Sequence, residues 1–166
     1  IFPVVSMPQA WLSPVVIVTG AHDLEIRAAV SDLPVQVVHN AAWEAGQSTS
    51  VRAGLKVLPE ETGSAIFLLA DQPQIPIELV QALKDQHAQA LSPIVAPLID
   101  ERRGNPVLFD RVTFADLQSL TGDVGGRAVF AKYPSATVSW PDANLLLDVD
   151  TPEDYQRLQG LEDLSA

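Results

Sequence analysis

The 166-residue sequence carries 21 acidic and 10 basic residues, and the resulting net charge of -11 argues against nucleic acid or an anionic membrane as a partner. It contains no cysteine, which excludes disulfides, zinc thiolate sites and thiol catalysis; it also lacks a transmembrane-length apolar run, so we expect a cytoplasmic protein. A hydrophobic content of 47% and the absence of linkers or repeats predict a single domain over residues 1–166.

Apolar runs alternate with amphipathic segments along the chain, whereas residues 1–11 contain two prolines and support no assignment. Strands are predicted at residues 14–19, 35–38, 65–70, 94–97, 106–109 and 136–140. Helices are predicted at residues 22–30, 48–58, 76–91, 113–120, 126–133 and from 152 onward, with Leu91 and Tyr155 among the inward-facing positions. This order predicts the α/β class, a doubly wound, mostly parallel sheet with helices on both faces.

A lone carboxylate, Asp71, follows the strand predicted at residues 65–70. The carboxyl ends of parallel strands border the crevice where α/β proteins bind ligands, so an acid there suggests a metal ion or a hydroxyl partner. The alternative is that Asp71 simply opens a turn before Pro73.

Two further acids, Asp148 and Asp150, follow the apolar run at residues 145–147, which suggests a second strand end. Alternation points both side chains to the same face, where either or both could hold a cation. With no thiols and few bases, the two acidic sites favour Mg²⁺, which is completed by substrate phosphates.

A hydroxyl-rich segment precedes the helix predicted at residues 48–58, and it consists of Gly46, Gln47, Ser48, Thr49 and Ser50, with Arg52 shortly after. Its hydroxyls could cap the helix, or the segment could bind a phosphate, ribose or base edge at the helix N-terminus.

Two loops concentrate arginine in a chain that has few bases. Arg103, Gly104 and Asn105 follow Arg102, and this loop either recognises an anionic substrate or is a solvated turn. Arg127 closes a glycine-rich loop at residues 122–127, from which it could reach a ligand or pair with Asp123.

Five motifs occur in a fixed order: residues 46–55, Leu69-Ala70-Asp71-Gln72-Pro73, residues 103–109, Gly122-Asp123 with Arg127, and residues 147–154. This series resembles the MobA-like NTP transferase family, which matures the molybdenum cofactor, and is most similar to its molybdenum cofactor cytidylyltransferase branch. The resemblance runs from about residue 14 to the end of the sequence.

The resemblance implies a fold like that of nucleotide-diphospho-sugar transferases. It also implies transfer of a nucleoside monophosphate from CTP or GTP, with CTP the preferred donor, to molybdopterin or a related phosphate monoester. It implies that Asp71 binds Mg²⁺ and that Asp148 and Asp150 complete the metal site. The implied nucleotide-side residues are Gly46, Gln47, Ser48, Ser50 and Arg52, and the implied acceptor-side residues are Arg103, Gly104, Asn105 and Arg127. The expected partners are small-molecule substrates, a second copy of the chain, and a molybdoenzyme or its chaperone.

The family's glycine-rich phosphate loop, which ends in Arg and Lys, has no match in residues 1–11. We therefore expect the first strand and the phosphate loop to be missing, which would leave sheet edges that favour self-association. Two alternatives follow: an inactive family member that acts as a scaffold, or a haloacid-dehalogenase-like phosphatase with Asp148 as its nucleophile.

Overall fold

The structure is a computed structural model that describes residues 12–163. The expectation that residues 1–11 lack the family's phosphate loop concerns residues outside this range. The strands are β1 Val16–Thr19, β2 Gln36–His39, β3 Ser64–Phe67, β4 Ile94–Ile99, β5 Arg102–Arg103, β6 Val107–Asp110 and β7 Ser135–Ser139. The α-helices are α1 Asp23–Ala29, α2 Gln47–Lys56, α3 Ile77–Ala90, α4 Phe114–Gln118 and α5 Pro152–Asp163. None of these described helices is long and apolar enough to cross a membrane.

The strands form two sheets. β1 pairs with β2 in parallel, and the larger sheet has the order β3-β6-β4-β5, with β7 added in parallel to β4. β6 runs antiparallel to both β3 and β4, so the larger sheet is mixed and not mostly parallel as predicted. Parallel pairing is found between β1 and β2 and between β4 and β7. Within residues 12–163, β1 and β3 each keep one edge without a strand partner.

β4 lies at the centre of the larger sheet because its six residues, IVAPLI, are all apolar and can be buried on both faces. On one face Val95 and Ile99 pack with residues of α3, namely Leu79, Val80 and Leu83. On the other face Ile94 and Ala96 pack with Leu55 of α2 and Leu117 of α4. The α/β class and the helices on both faces are therefore confirmed.

Three local predictions are wrong. Leu91 is 80% exposed because α3 ends there in a left-handed residue, and Tyr155 is 46% exposed on α5. The apolar run at residues 145–147 forms no strand: Asp142 accepts a hydrogen bond from the Asn144 N–H and starts the 3₁₀ turn Ala143–Leu146. The prediction that Asp148 follows a strand end therefore fails.

The α3 packing can be tested by truncating one buried leucine. Leu83→Ala should destabilise the fold by about 2–5 kcal/mol, because it leaves a cavity between α3 and the sheet. Leu91→Ala, which removes the same atoms from an exposed site, should change stability by less than about 0.5 kcal/mol. Urea denaturation of both variants measures the difference, and equal losses would contradict the packing described here.

Candidate active site

Asp71 lies in a turn beyond the end of β3, which stops at Phe67. Its backbone carbonyl accepts a 2.7 Å hydrogen bond from the Val149 N–H. Its carboxylate oxygen Oδ1 is buried and has no hydrogen-bond partner among the described residues. A buried acceptor without a hydrogen bond lowers the stability of the folded protein, so Oδ1 is a candidate ligand atom.

Asp148 and Asp150 are brought close to Asp71 by that backbone hydrogen bond. Both side chains are exposed, with the half-buried Val149 between them, as the alternation predicts. The side chain of Gln72 adds a second link, because its Nε2 donates to Oδ1 of Asp148 at 2.7 Å. The structure therefore brings the three predicted acids into one region.

Burial is the main cause that raises the pKa of Asp71 above its usual 3.8, and the negative charges of Asp148 and Asp150 raise it further. The Asp71 carboxylate is thus held in a poorly solvated place beside two like charges. A bound divalent cation would relieve both effects at once.

The hydroxyl-rich segment packs tightly against the loop at residues 122–123. Gly46 has φ 103°, and a Cβ on it would lie 2.5 Å from the backbone carbon of Gly122. The Ser48 N–H donates to the Gly122 carbonyl at 3.3 Å, and the Gln47 N–H donates to the Asp123 carboxylate at 3.3 Å. These contacts bring two of the predicted motifs together and use two N–H groups at the start of α2.

Asn40, which the sequence analysis missed, organises the hydroxyls of this segment. It is buried after β2, and its Nδ2 donates to the hydroxyls of Thr49 at 2.7 Å and Ser50 at 3.1 Å. The Ser48 hydroxyl is different: it is fully buried and has no partner. The sequence signal that could have identified Asn40 is an asparagine two residues after the strand predicted at residues 35–38.

Arg52 donates from one guanidinium nitrogen to the backbone carbonyl of Leu120. This contact ties α2 to the end of α4. The nitrogen concerned is occupied by protein, so the structure gives Arg52 a packing role beside the nucleotide role that the resemblance implies.

The arginine loops meet at a cavity of about 180 Å³ lined by Arg103, Gly104, Val107, Arg127 and Phe130. The guanidinium of Arg103 lies over the ring of Phe130, 5.2 Å from its centroid. Within residues 12–163 neither arginine forms an ion pair with a carboxylate, so the alternative pairing of Arg127 with Asp123 does not occur. Phe130 was missed because its position reads as an ordinary core residue.

Gly104 connects this basic cavity to the acidic region. A Cβ on Gly104 would lie 2.9 Å from Ile99 and 3.3 Å from Leu146, two residues before Asp148. Asn105 follows in a buried position. Contacts thus run from the hydroxyl-rich segment through residues 122–127 and the cavity to the acids.

A comparison with protein families supports one assignment. Residues 4–138 match the family model described as the MobA-like NTP transferase domain, which covers most of the sequence. The chain belongs to this family.

One curated relative matches part of the chain. The purine catabolism protein PucB of Bacillus subtilis (strain 168) is 29% identical over 123 residues, which are 70% of this chain and 57% of PucB. This chain therefore spans little more than half the length of that curated relative.

Two solved structures are also similar. Rv0371c of Mycobacterium tuberculosis H37Rv, in complex with manganese, aligns with a TM-score of 0.75 and 26% identity, over 92% of this chain and 81% of that one. The molybdopterin-guanine dinucleotide biosynthesis protein A of Archaeoglobus fulgidus aligns with a TM-score of 0.64 and 15% identity, over 96% and 85%. The second likeness shows the fold alone.

The acids of this MobA-like chain suit a hard, partly hydrated cation. Among residues 12–163 no three acidic, histidine or cysteine side chains form a ready metal cage. Mg²⁺ does not need a cage of three protein side chains, since it is held by one or two carboxylates and keeps waters or substrate phosphates as its other ligands. The unpaired Oδ1 of Asp71 and the exposed carboxylates of Asp148 and Asp150 fit that requirement.

The contact between Gly46 and residues 122–123 allows a test by adding one methyl group. Gly46→Ala should cost at least about 1 kcal/mol of stability, because alanine disfavours φ 103° and its Cβ meets backbone. Gly63→Ala, where a Cβ meets nothing within 4 Å, is the matched control and should stay within about 0.5 kcal/mol. Chemical denaturation gives both values, and a neutral Gly46→Ala would contradict the packing.

The raised pKa of Asp71 predicts that Asp71→Asn stabilises the metal-free protein at neutral pH. The ionised carboxylate disfavours folding; this penalty begins as pH rises above about 3.8 and is complete above the raised folded-state pKa. Below about pH 3.8 the carboxyl is neutral in both states, so the two melting curves should converge.

Thermal melts of wild type and Asp71→Asn from pH 3 to 8 measure this difference. Asp85→Asn, at an exposed position of α3, controls for removing one negative charge from the surface. A lower melting temperature for Asp71→Asn at pH 7 would show that the carboxylate is stabilising and that the direction argued here is wrong.

Proposed function

We propose that the protein is a Mg²⁺-dependent nucleotidyltransferase that moves a nucleoside monophosphate, foremost CMP, from CTP or GTP to molybdopterin or a related phosphate monoester. An oxygen of the acceptor phosphate forms a bond to the α-phosphorus of the nucleotide. The bond from that phosphorus to the β-phosphate oxygen breaks, and pyrophosphate leaves.

The observation that carries the proposal is the arrangement of opposite charges around Gly104. Gly104 lines the cavity with Arg103 and Arg127, and a Cβ on it would lie 3.3 Å from Leu146, two residues before Asp148. The charges of Asp148 and Asp150 in turn act on Asp71. In a chain with a net charge of -11, two arginines without carboxylate partners at one cavity favour an anionic ligand there.

The acids would hold the cation through the unpaired Oδ1 of Asp71 and the carboxylates of Asp148 and Asp150. When bound, Mg²⁺ would offset the negative charge that spreads over the transferring phosphoryl group. Arg103 and Arg127 would bind the acceptor phosphate, and the Phe130 ring under Arg103 would restrict its guanidinium to one plane.

The fully buried, unpartnered Ser48 hydroxyl supports a nucleotide contact at the start of α2. Gly46, Gln47 and Ser50 lie in the same segment, and Arg52 follows one turn later. Substrate classes in the comparisons point the same way, since the Archaeoglobus protein is named for molybdopterin-guanine dinucleotide biosynthesis and the mycobacterial protein was solved with manganese. A second copy of the chain and a molybdoenzyme or chaperone are the macromolecular partners we propose.

Pyrophosphate release from CTP or GTP in the presence of molybdopterin and Mg²⁺ tests the proposal. We expect turnover with CTP that is lost in Asp71→Asn and on removal of the metal. Complete inactivity of the wild type together with a stable protein complex would favour the scaffold alternative. Hydrolysis of simple phosphate esters that is lost in Asp148→Asn would favour the phosphatase alternative.

The acceptor side has its own test at two neighbouring arginines of β5. Arg103→Ala should raise KM for the acceptor by about 10-fold or more, because a charge-assisted hydrogen bond is lost. Arg102→Ala removes the same charge outside the cavity and should change that KM by less than about twofold. Equal effects of the two substitutions would remove Arg103 from the acceptor site.

A further inference from the structure

We propose that Gln72 is a positioning residue that fixes the Asp148 carboxylate beside Asp71 and presents its own carbonyl oxygen to a water bound to the cation. The inference rests on the proposed function, because it concerns how the acids are held for a divalent ion. It adds a neutral amide to a site so far described by its carboxylates.

The orientation of the Gln72 amide is fixed by chemistry. Nε2 lies 2.7 Å from Oδ1 of Asp148, and an ionised carboxylate only accepts hydrogen bonds. The nitrogen must therefore face Asp148, because the opposite orientation would place two oxygens in contact. The carbonyl oxygen Oε1 must then point away from Asp148.

That carbonyl oxygen has no partner. The Gln72 residue is only 6% exposed, and its Oε1 is buried without a hydrogen bond from any described residue. A buried acceptor without a partner destabilises the folded protein, so a retained one suggests that a ligand completes it. In the preceding residue, Oδ1 of Asp71 is also buried without a hydrogen-bond partner.

Two consecutive residues thus carry buried oxygens without partners, and the second of them also holds the Asp148 carboxylate through its nitrogen. A hydrated Mg²⁺ or Mn²⁺ matches this set, because the carboxylates can bind the ion directly and the bound waters can donate to the amide oxygen. A bare anion does not match, since it brings no donors.

Asp148 depends on Gln72 for its orientation. The carboxylate is exposed, and among residues 12–163 Gln72 is its hydrogen-bond partner. The backbone link from the Val149 N–H to the Asp71 carbonyl fixes the main chain but leaves the Asp148 side chain free to rotate. The Gln72 amide removes that freedom.

Gln74 provides a matched control. Its Nε2 donates to the backbone carbonyls of Asn144 at 2.7 Å and Leu147 at 2.6 Å, so it holds the same segment without touching a carboxylate. Its Oε1 is buried without a described partner, as that of Gln72 is, so the two glutamines differ in whether they hold an acid. Gln72 and Gln74 differ in the atoms they bind, and substitutions at the two positions separate orientation of an acid from tethering of a loop.

The test is Mn²⁺ binding to the full chain, measured by electron paramagnetic resonance with the metal alone and with CTP. Gln72→Leu and Gln72→Met should weaken binding about 10- to 100-fold, as loss of an outer-shell partner does. Gln74→Leu should stay within about threefold, and urea midpoints confirm that each variant is folded. In an Asp148→Ala background, Gln72→Leu should weaken binding less than it does in the wild type, because only the contact of Oε1 with a bound water is then left to lose.

The outcomes separate the two claims. If Asp71→Asn weakens Mn²⁺ binding while both Gln72 variants bind like wild type, the role of Gln72 is wrong and the proposed function stands. If Gln74→Leu weakens binding as much as Gln72→Leu, the effect is loop tethering and the inference fails. If the wild type binds no Mn²⁺ even with CTP, the proposed function and this inference both fail.

Discussion

The contact between residues 71–74 and residues 144–149 is the constraint on which the acidic site depends. Residues 144–149 belong to no strand, so no ladder of sheet hydrogen bonds places them. The Val149 N–H to the Asp71 carbonyl, together with the side-chain amides of Gln72 and Gln74, supplies the missing hydrogen bonds. Acids far apart in the sequence thereby share one environment. Burial chiefly, and the charges of Asp148 and Asp150 in addition, raise the pKa of Asp71.

Close backbone approach builds the opposite side of the site. Gly46 allows α2 to begin against residues 122–123, and Gly104 allows the β5 loop to lie against Leu146. A side chain at Gly46 would meet backbone, whereas one at Gly104 would meet the ends of the Ile99 and Leu146 side chains. Gly104 thus lines the basic cavity and lies close to Leu146, two residues before Asp148.

Much of the fold could be predicted from the sequence, because its signals are local. The apolar run of β4 predicts a strand, and the hydrophobic spacing of α3 predicts a helix. The mixed pairing could not be predicted, since the antiparallel direction of β6 is set by the hairpin that precedes it. Leu91 was misplaced because a left-handed residue ends the helix there, which periodicity does not reveal.

The candidate site divides in the same way. The charged residues stand out in the sequence, whereas Asn40, Gln72 and Phe130 matter through partners that are distant along the chain. Gln72 stands in the motif at residues 69–73, but the motif does not reveal its role, because that role depends on Asp148, 76 residues away. Sequence patterns therefore identified charges, and the tertiary contacts identified how those charges are held.

The most direct test of the central claim is line broadening of backbone amide signals by Mn²⁺ at substoichiometric concentration. If one cation site joins the two acidic segments, the amides of Asp71 and Gln72 should broaden together with those of Asp148, Val149 and Asp150, before signals elsewhere. Broadening of one segment without the other, or of surface carboxylates in general, would contradict the account.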